Sequence, residues 1–169
     1  MFVRGAAKQT IYVDNWDRRK YLATLWRVIE LMSWRCLTYC LMGNHMHLLI
    51  ETPEPNLSRG MHRLHGSYAQ VFNRRHVKAG HVFGSRFKSK PIQNDAHLLV
   101  TVAYIVNNPV EAGLVKTPAA WPWGSHAALA DGATPPCVDV PRLYSYFESS
   151  GGDPHRRYLD FVAAKPPRI

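Results

Sequence analysis

Two histidines one residue apart are the side chains of this sequence that are best suited to chemistry. His45 and His47 lie in the apolar run MGNHMHLLIETP, residues 42–53, which has the composition of a buried strand. Side chains alternate across a strand, so both imidazoles are expected on one face, with Met46 and Leu48 on the other. Two imidazoles on one face form a typical pair of metal ligands. The alternative is that one hydrogen-bonds in the core while the other meets water.

A metal site needs a further ligand, and the helix predicted over AHLLVTVAYIVNN supplies candidates. Tyr104 and Asn108 are four residues apart in it and therefore share a face. If that face covers the strand, Asn108 can offer an amide oxygen to a metal and Tyr104 can place its phenol oxygen beside it. Imidazole and oxygen ligands in an open site suit Mg²⁺ or Mn²⁺ better than a structural zinc. The alternatives are that Tyr104 only packs and that Asn108 only ends the helix before Pro109.

The charge of the chain indicates a polyanionic partner. Lysine and arginine number 21 against 12 aspartates and glutamates, and no acidic residue occurs from Pro55 to Asn94. A solvated surface normally mixes both signs, so an acid-free stretch favours nucleic acid over a merely soluble basic surface. The basic residues of this stretch that we predict to contact DNA are Arg59, Arg63, Arg74, Arg75, Lys78, Arg86, Lys88 and Lys90.

The coarse order of predicted elements is strand, helix, strand, strand, helix, strand, helix. The helices are expected over residues 16–34, 57–76 and 96–108, the last stopped by Pro109, and the strands over 1–5, 35–42, 45–53 and 81–92. A tight turn at Gly43 and Asn44 joins the two middle strands, and alternation places Arg86, Lys88 and Lys90 on one face of the last strand. This alternation of strands and helices contains a hairpin, so it is not a series of parallel strand–helix–strand crossovers. We therefore predict an α+β fold with a ferredoxin-like antiparallel sheet covered by helices.

We expect one catalytic domain over residues 1–125, with a shortened first strand, and an appendage over residues 126–169. The composition shifts after about Ser125 to ADGATPPC, which is typical of a linker, and one or two short helices follow. No stretch approaches ~18 consecutive apolar residues, and the start of the chain lacks the apolar centre of a signal peptide. The sequence therefore predicts a cytoplasmic, nucleoid-associated protein with no membrane partner.

Two segments of the chain resemble the REP-associated tyrosine transposases (RAYT), a branch of the single-tyrosine HUH endonucleases. They are LMGNHMHLLIETP and AYIVNNPVEAGLV. Four other segments match the family's usual segments in order: RGAAKQTIYVDNWDRRKYL, NLSRGMHRLHGSYAQVFNRRH, GHVFGSRFKSKPI and WPWGSHAAL. The chain departs from the pattern at Gly43, where proline is usual, and at Glu111, where arginine is usual. The resemblance covers most of the chain. The combination of these segments is specific to the family, whereas two histidines one residue apart are not.

This resemblance implies an HUH endonuclease fold, with His45 and His47 as metal ligands, Asn108 as the polar third ligand and Tyr104 as the nucleophile. It implies an endonuclease and strand transferase for single-stranded or hairpin (REP-like) DNA that works through a 5′-phosphotyrosine intermediate with Mg²⁺ or Mn²⁺. Members of the family act as monomers or homodimers, and both states stay open here. Two other functions also stay open. One is a nucleic-acid-binding module without catalysis, and the other is a metal-dependent phosphodiesterase that uses water.

Overall fold

The computed structural model describes residues 1–148 and 151–165. In this part of the chain the strands are β1 (Phe2–Arg4), β2 (Arg35–Leu41) and β3 (His45–Glu51). The long helices are α1 (Asn15–Met32), α2 (Leu57–Arg75) and α3 (Asp95–Glu111). The short helices are α4 (Ser125–Ala130), α5 (Val140–Ser145) and α6 (Pro154–Ala163). Single 3₁₀ turns lie at Ala6–Lys8 and Pro118–Ala120.

The sheet is antiparallel, and β3 is its central strand, with β1 on one side and β2 on the other. His47 lies between Phe2 of β1 and Cys40 of β2 in the strand register. The backbone N–H of Met42 donates to the carbonyl of His45 at 2.9 Å and closes the turn between β2 and β3. The predicted hairpin is therefore confirmed, and it places the histidine-bearing strand in the middle of the sheet.

Aromatic contacts connect the helices to each other and to the sheet. The rings of Tyr21 on α1 and Tyr68 on α2 meet edge-to-face, with centroids 5.1 Å apart. The Tyr104 ring on α3 meets the His47 ring of β3 in the same geometry, with centroids 5.4 Å apart. Helix α3 therefore lies over the face of the sheet that carries His47.

Side-chain caps explain where two of these helices begin. Asp14 accepts a hydrogen bond from the N–H of Asp17 at 3.1 Å, and Asn94 accepts one from the N–H of His97 at 2.9 Å. Each cap satisfies an N–H that has no acceptor within its own helix. The two helices begin at Asn15 and Asp95, one residue before the predicted starts.

The regular strand predicted over residues 81–92 is wrong. The segment does run beside β1, and the backbones of Phe2 and Lys88 exchange two hydrogen bonds, of 2.9 and 2.8 Å. It forms only isolated bridges there, at Phe83 and Lys88. Between them the chain bends at Gly84 and Ser85. Glycine packs poorly in a strand and marks close backbone approach, here to Ala6, so the alternation of basic residues does not produce a ladder.

Helix α3 continues through Pro109 to Glu111, so the expectation that Pro109 stops the helix is also wrong. Proline removes one backbone N–H from the ladder, but the last turn regains hydrogen bonds beyond it. The N–H of Ala112 donates to the carbonyl of Asn108 at 3.0 Å, and the N–H of Leu114 donates to that of Pro109 at 2.9 Å. These bonds hold Asn108 inside the helix, one turn after Tyr104.

The C-terminal region contains the predicted short helices, α5 and α6, which contact β2 and α3 respectively. Residues 131–138 between α4 and α5 are irregular, as expected of the ADGATPPC segment. His126 of α4 and Tyr158 of α6 share a buried hydrogen bond of 2.8 Å. The division of the chain at residue 125 stays a prediction. Within the described ranges, no helix combines the length and the apolar character needed to cross a membrane.

Candidate active site

His45 and His47 project from the same face of β3, as strand alternation requires. Their ring centroids lie 5.2 Å apart, with the ring planes nearly perpendicular. The Phe2 ring of the neighbouring strand lies against both, at 5.4 Å from His45 and 5.1 Å from His47. The aromatic contact limits the rotation of both imidazoles and shields them on one side.

A short relay of hydrogen bonds orients His45. The side-chain N–H of Asn44 donates to the carbonyl of Lys8 at 3.1 Å, which turns the Asn44 amide oxygen towards His45. The Nδ1 of His45 lies 2.7 Å from that oxygen, so Nδ1 carries the proton and donates it. The lone pair is then on Nε2, which is the usual arrangement of a metal-binding histidine.

Both imidazoles are electrically neutral near pH 7. Burial lowers the pKa of His47 to about 3, and its neighbour His45, the N-terminal ammonium and Arg4 act in the same direction. Burial also lowers the pKa of His45, while a hydrogen bond with Asn108 acts in the opposite direction. Neutral imidazole is the form that binds a metal ion, so protonation does not compete with a ligand role at neutral pH.

Helix α3 places its own pair of residues over the two histidines. Tyr104 meets His47 ring to edge, and one helical turn later Asn108 contacts His45. Tyr104 therefore lies at His47 and Asn108 at His45, so the two pairs run in opposite order along α3 and β3. The structure brings together the four residues that the sequence analysis singled out.

These residues line a cleft of about 770 Å³ between β1, β3, α3 and the segment that follows Lys88. Two imidazoles and one side-chain amide line it, a mixed set of nitrogen and oxygen groups of the kind that suits a divalent cation in an open site. Among residues 1–148 and 151–165, no cluster of three histidine, cysteine, aspartate or glutamate side chains could hold a metal ion. A site here therefore depends on the Asn108 oxygen. Glu51, on the histidine face of β3, is instead paired with Arg142 at 3.0 Å.

The predicted DNA-binding residues occupy three kinds of position. Lys88 and Lys90 line the cleft, whereas Arg86 is exposed outside its lining. Exposed positions on or just after α2 hold Arg59, Arg63, Arg74 and Lys78. Arg75 forms ion pairs with Asp14 at 2.6 Å and Asp17 at 2.8 Å, so it connects α2 to α1.

Three further cleft residues were not singled out from the sequence. His97 lies on α3 seven residues before Tyr104, two turns along the same face, and this spacing is a signal that could have identified it. Arg4 lies opposite His45 and Phe2 opposite His47. Nothing in a single sequence indicates that pairing, because it joins residues more than forty positions apart.

Comparisons with known proteins agree with this geometry. The family model described as IS200-like transposase matches residues 2–108, a range that contains the two histidines, Tyr104 and Asn108. A solved structure of a REP-associated tyrosine transposase bound to a REP hairpin is similar to the chain at 18% sequence identity and a TM-score of 0.65. The match covers 80% of this chain and 81% of that one, and it confirms the predicted fold. No curated protein matches significantly. Because the family model spans most of the sequence, the chain belongs to the IS200-like transposase family.

Proposed function

We propose that the chain cuts and rejoins single-stranded DNA beside a hairpin, with Tyr104 as the nucleophile. The observation that carries the proposal is the position of Tyr104, whose ring touches His47 inside the cleft that also holds His45 and Asn108. The solved relative was captured with a REP hairpin, which supports hairpin DNA as the substrate class here. A DNA partner also fits the proposed location at the nucleoid.

The reaction exchanges one phosphate ester for another. The Tyr104 phenol oxygen attacks the phosphorus in line, so that a bond from phosphorus to tyrosine forms while the bond to O3′ breaks. The phenol releases its proton to solvent, and the departing O3′ takes up a proton and becomes a free 3′-hydroxyl. The downstream strand stays attached to Tyr104 through its 5′-phosphate. Attack by another 3′-hydroxyl reverses these steps and rejoins DNA without ATP.

We propose that His45, His47 and Asn108 hold a divalent cation, Mg²⁺ or Mn²⁺. When bound, such an ion supplies positive charge at the non-bridging phosphate oxygens, where negative charge increases in the transition state. The chain contributes two neutral imidazoles, and Asn44 fixes the orientation of one of them. Phe2 shields both rings on the side towards β1. The donor set fits the ion, with the Asn108 amide oxygen as the proposed third protein ligand.

Charge supports DNA binding around this centre. Lys88 and Lys90 line the cleft and can neutralise phosphates next to the scissile one. The exposed arginines of α2 lie outside the lining of the cleft and offer further positive charge to DNA. Arg75 is the least suited to this role, because it already pairs with Asp14 and Asp17.

The replacement Tyr104→Phe tests the proposal. A Tyr-to-Phe change keeps the ring and its packing, so the free energy of unfolding should fall by less than about 1.5 kcal/mol. Labelled hairpin DNA with single-stranded flanks and Mn²⁺ should still bind the variant, while nicking and the covalent adduct disappear from a denaturing gel. Tyr144→Phe, which removes a phenol oxygen in the C-terminal region, is the matched control and should behave as wild type.

The other outcomes separate the competing functions. Nicking that persists in Tyr104→Phe indicates a phosphodiesterase that uses water. Binding by the wild-type protein without any adduct indicates a module that has lost catalysis. An adduct that peptide mass spectrometry maps to another tyrosine, such as Tyr68, overturns the assignment of the nucleophile. Light scattering on the same samples distinguishes a monomer from a homodimer.

A further inference from the structure

A second cavity, of about 560 Å³, opens at the end of β3 that is remote from His45. We refer to it as the β3-end cavity. It shares with the histidine cleft the wall formed by Met1, Leu49, Ser89, Lys90 and Ile92. A DNA strand that lies in the cleft can therefore extend into the β3-end cavity within a nucleotide or two.

The lining of the β3-end cavity is apolar inside and polar at its edge. Leu37, Leu57 and Leu98 contribute to the apolar walls, and Asp95 and Tyr146 contribute polar atoms. A flat group with apolar faces and hydrogen-bonding edges matches such a lining, and a nucleobase is the group of this kind that single-stranded DNA carries. The shared wall also carries Lys90, whose charge suits the phosphate that links this base to the cleft.

Two carboxylates among the lining residues restrict which base fits. Glu51 accepts hydrogen bonds from Arg142 at 3.0 Å and from the Tyr146 hydroxyl, which holds it at the cavity. Asp95, at the start of α3, is exposed and faces the same space. Carboxylates repel a phosphate but accept hydrogen bonds from the exocyclic amino groups of bases. Cytosine, adenine and guanine carry such a group, and thymine does not.

We propose that the β3-end cavity binds one unstacked base next to the scissile phosphate and prefers a base with an amino group over thymine. The inference rests on the proposed function, because it assumes that single-stranded DNA occupies the neighbouring cleft. Through this cavity the protein itself would recognise a base, in addition to the phosphate contacts that position the strand.

Photocrosslinking gives a direct test of the location. A single-stranded oligodeoxycytidine with one 5-iodocytosine, irradiated in complex with the full chain, should crosslink to Tyr146 or to the segment 91–95. Peptide mass spectrometry identifies the site. The variant Leu57→Trp narrows the cavity from its apolar side and should lower that crosslink severalfold, while adduct formation by Tyr104 on hairpin DNA continues. Crosslinks that map only outside the cavity lining overturn the proposal.

The variant Asp95→Asn tests the base preference. Wild-type protein should bind oligodeoxycytidine more tightly than oligothymidine, and this ratio should fall about tenfold in Asp95→Asn, within the range that one good side-chain contact to a base contributes. Glu30→Gln, which neutralises an exposed carboxylate on α1, is the control and should leave the ratio unchanged. An unchanged ratio in Asp95→Asn overturns the preference.

If the wild-type protein neither binds hairpin DNA nor forms the Tyr104 adduct, the proposed function itself has failed. If it does both and the cavity variants have no effect, only the base-binding inference has failed.

Discussion

The two interior glycines of α2 should respond in opposite directions to replacement by alanine. A Cβ added at Gly60 would lie 2.2 and 2.4 Å from two ring carbons of Trp34. The Trp34 ring is buried, and its N–H donates to the Asn56 side chain at 2.6 Å, so it cannot move away freely. A Cβ added at Gly66 would have no heavy atom within 4 Å beyond its chain neighbours and the backbone of the adjoining helical turns. The two positions therefore separate the intrinsic helix preference of alanine from the contact with Trp34.

The expected changes in the free energy of unfolding follow from the helix preference of alanine and from the contact with Trp34. Alanine stabilises a helix interior by about 1 kcal/mol relative to glycine, so Gly66→Ala should raise the free energy of unfolding by about that amount. Overpacking costs about 1–3 kcal/mol, and the short contacts at Gly60 place its cost at the upper end. After subtraction of the helix term, Gly60→Ala should lower the free energy of unfolding by about 2 kcal/mol. The variants should then differ by about 3 kcal/mol, or about 10 °C in Tm for a chain of this size.

Urea and thermal unfolding, followed by circular dichroism, measure both values. Gly66→Ala should also bind hairpin DNA as wild type does, which shows that α2 keeps its position and its exposed arginines. A Gly60→Ala variant that is as stable as Gly66→Ala would refute the close packing of α2 on Trp34, and with it the placement of the basic helix face.

Three other predictions concern the histidines and the basic segment. Burial lowers the pKa of His47 to about 3 and the pKa values of His65 and His126 to about 4, so the unfolded chain binds their protons more tightly. The contribution of these groups to the free energy of unfolding is fully present above pH ~6.5, and as the pH is lowered it should fall by about 4 kcal/mol per pH unit near pH 5. Urea unfolding at a series of pH values measures this change. A free energy of unfolding that does not depend on pH would contradict the burial of these rings. His47→Ala should abolish cleavage but keep most DNA affinity. Removal of metal ions by chelation should leave the Tm of the wild-type protein unchanged, because a metal in an open site does not hold the fold together. A large drop in Tm on chelation would indicate a structural metal. Replacing Arg86 and Lys88 together by glutamine should lower the log–log salt slope of hairpin binding by up to about two, and an unchanged slope would mean that neither contacts phosphate.

Local patterns predicted the parts of the site that lie within single elements. The alternation around His45 and His47 indicated a strand with both rings on one face, and the four-residue spacing of Tyr104 and Asn108 indicated one face of a helix. Both inferences need only the geometry of one element, and the structure shows both arrangements. The roles of these residues in metal binding and catalysis stay predictions.

Contacts between distant segments could not be derived in the same way. Phe2 covers the histidines only because β1 pairs with β3, and the register of that pair depends on the whole sheet. The alternation of basic residues after His81 resembled a strand, but the bend at Gly84 and Ser85 breaks the ladder. Pro109 was expected to end α3, yet hydrogen bonds beyond it continue the helix. The sheet register and the bend therefore depend on contacts between distant segments, whereas the end of α3 depends on the hydrogen bonds of its own last turn.

Substitutions on the two faces of β3 should have different consequences. Met46 and Leu48 are fully buried, whereas His45 and His47 face the cleft. Substitutions at the first pair should reduce how much folded protein a cell accumulates, and substitutions at His45 should reduce what each folded molecule can do. A lineage that kept DNA binding but abandoned cleavage would therefore lose constraint at every second position of this strand and retain it at the positions between. Such an alternating pattern of drift, read from related sequences, would record the loss of catalysis in a protein whose fold had not changed.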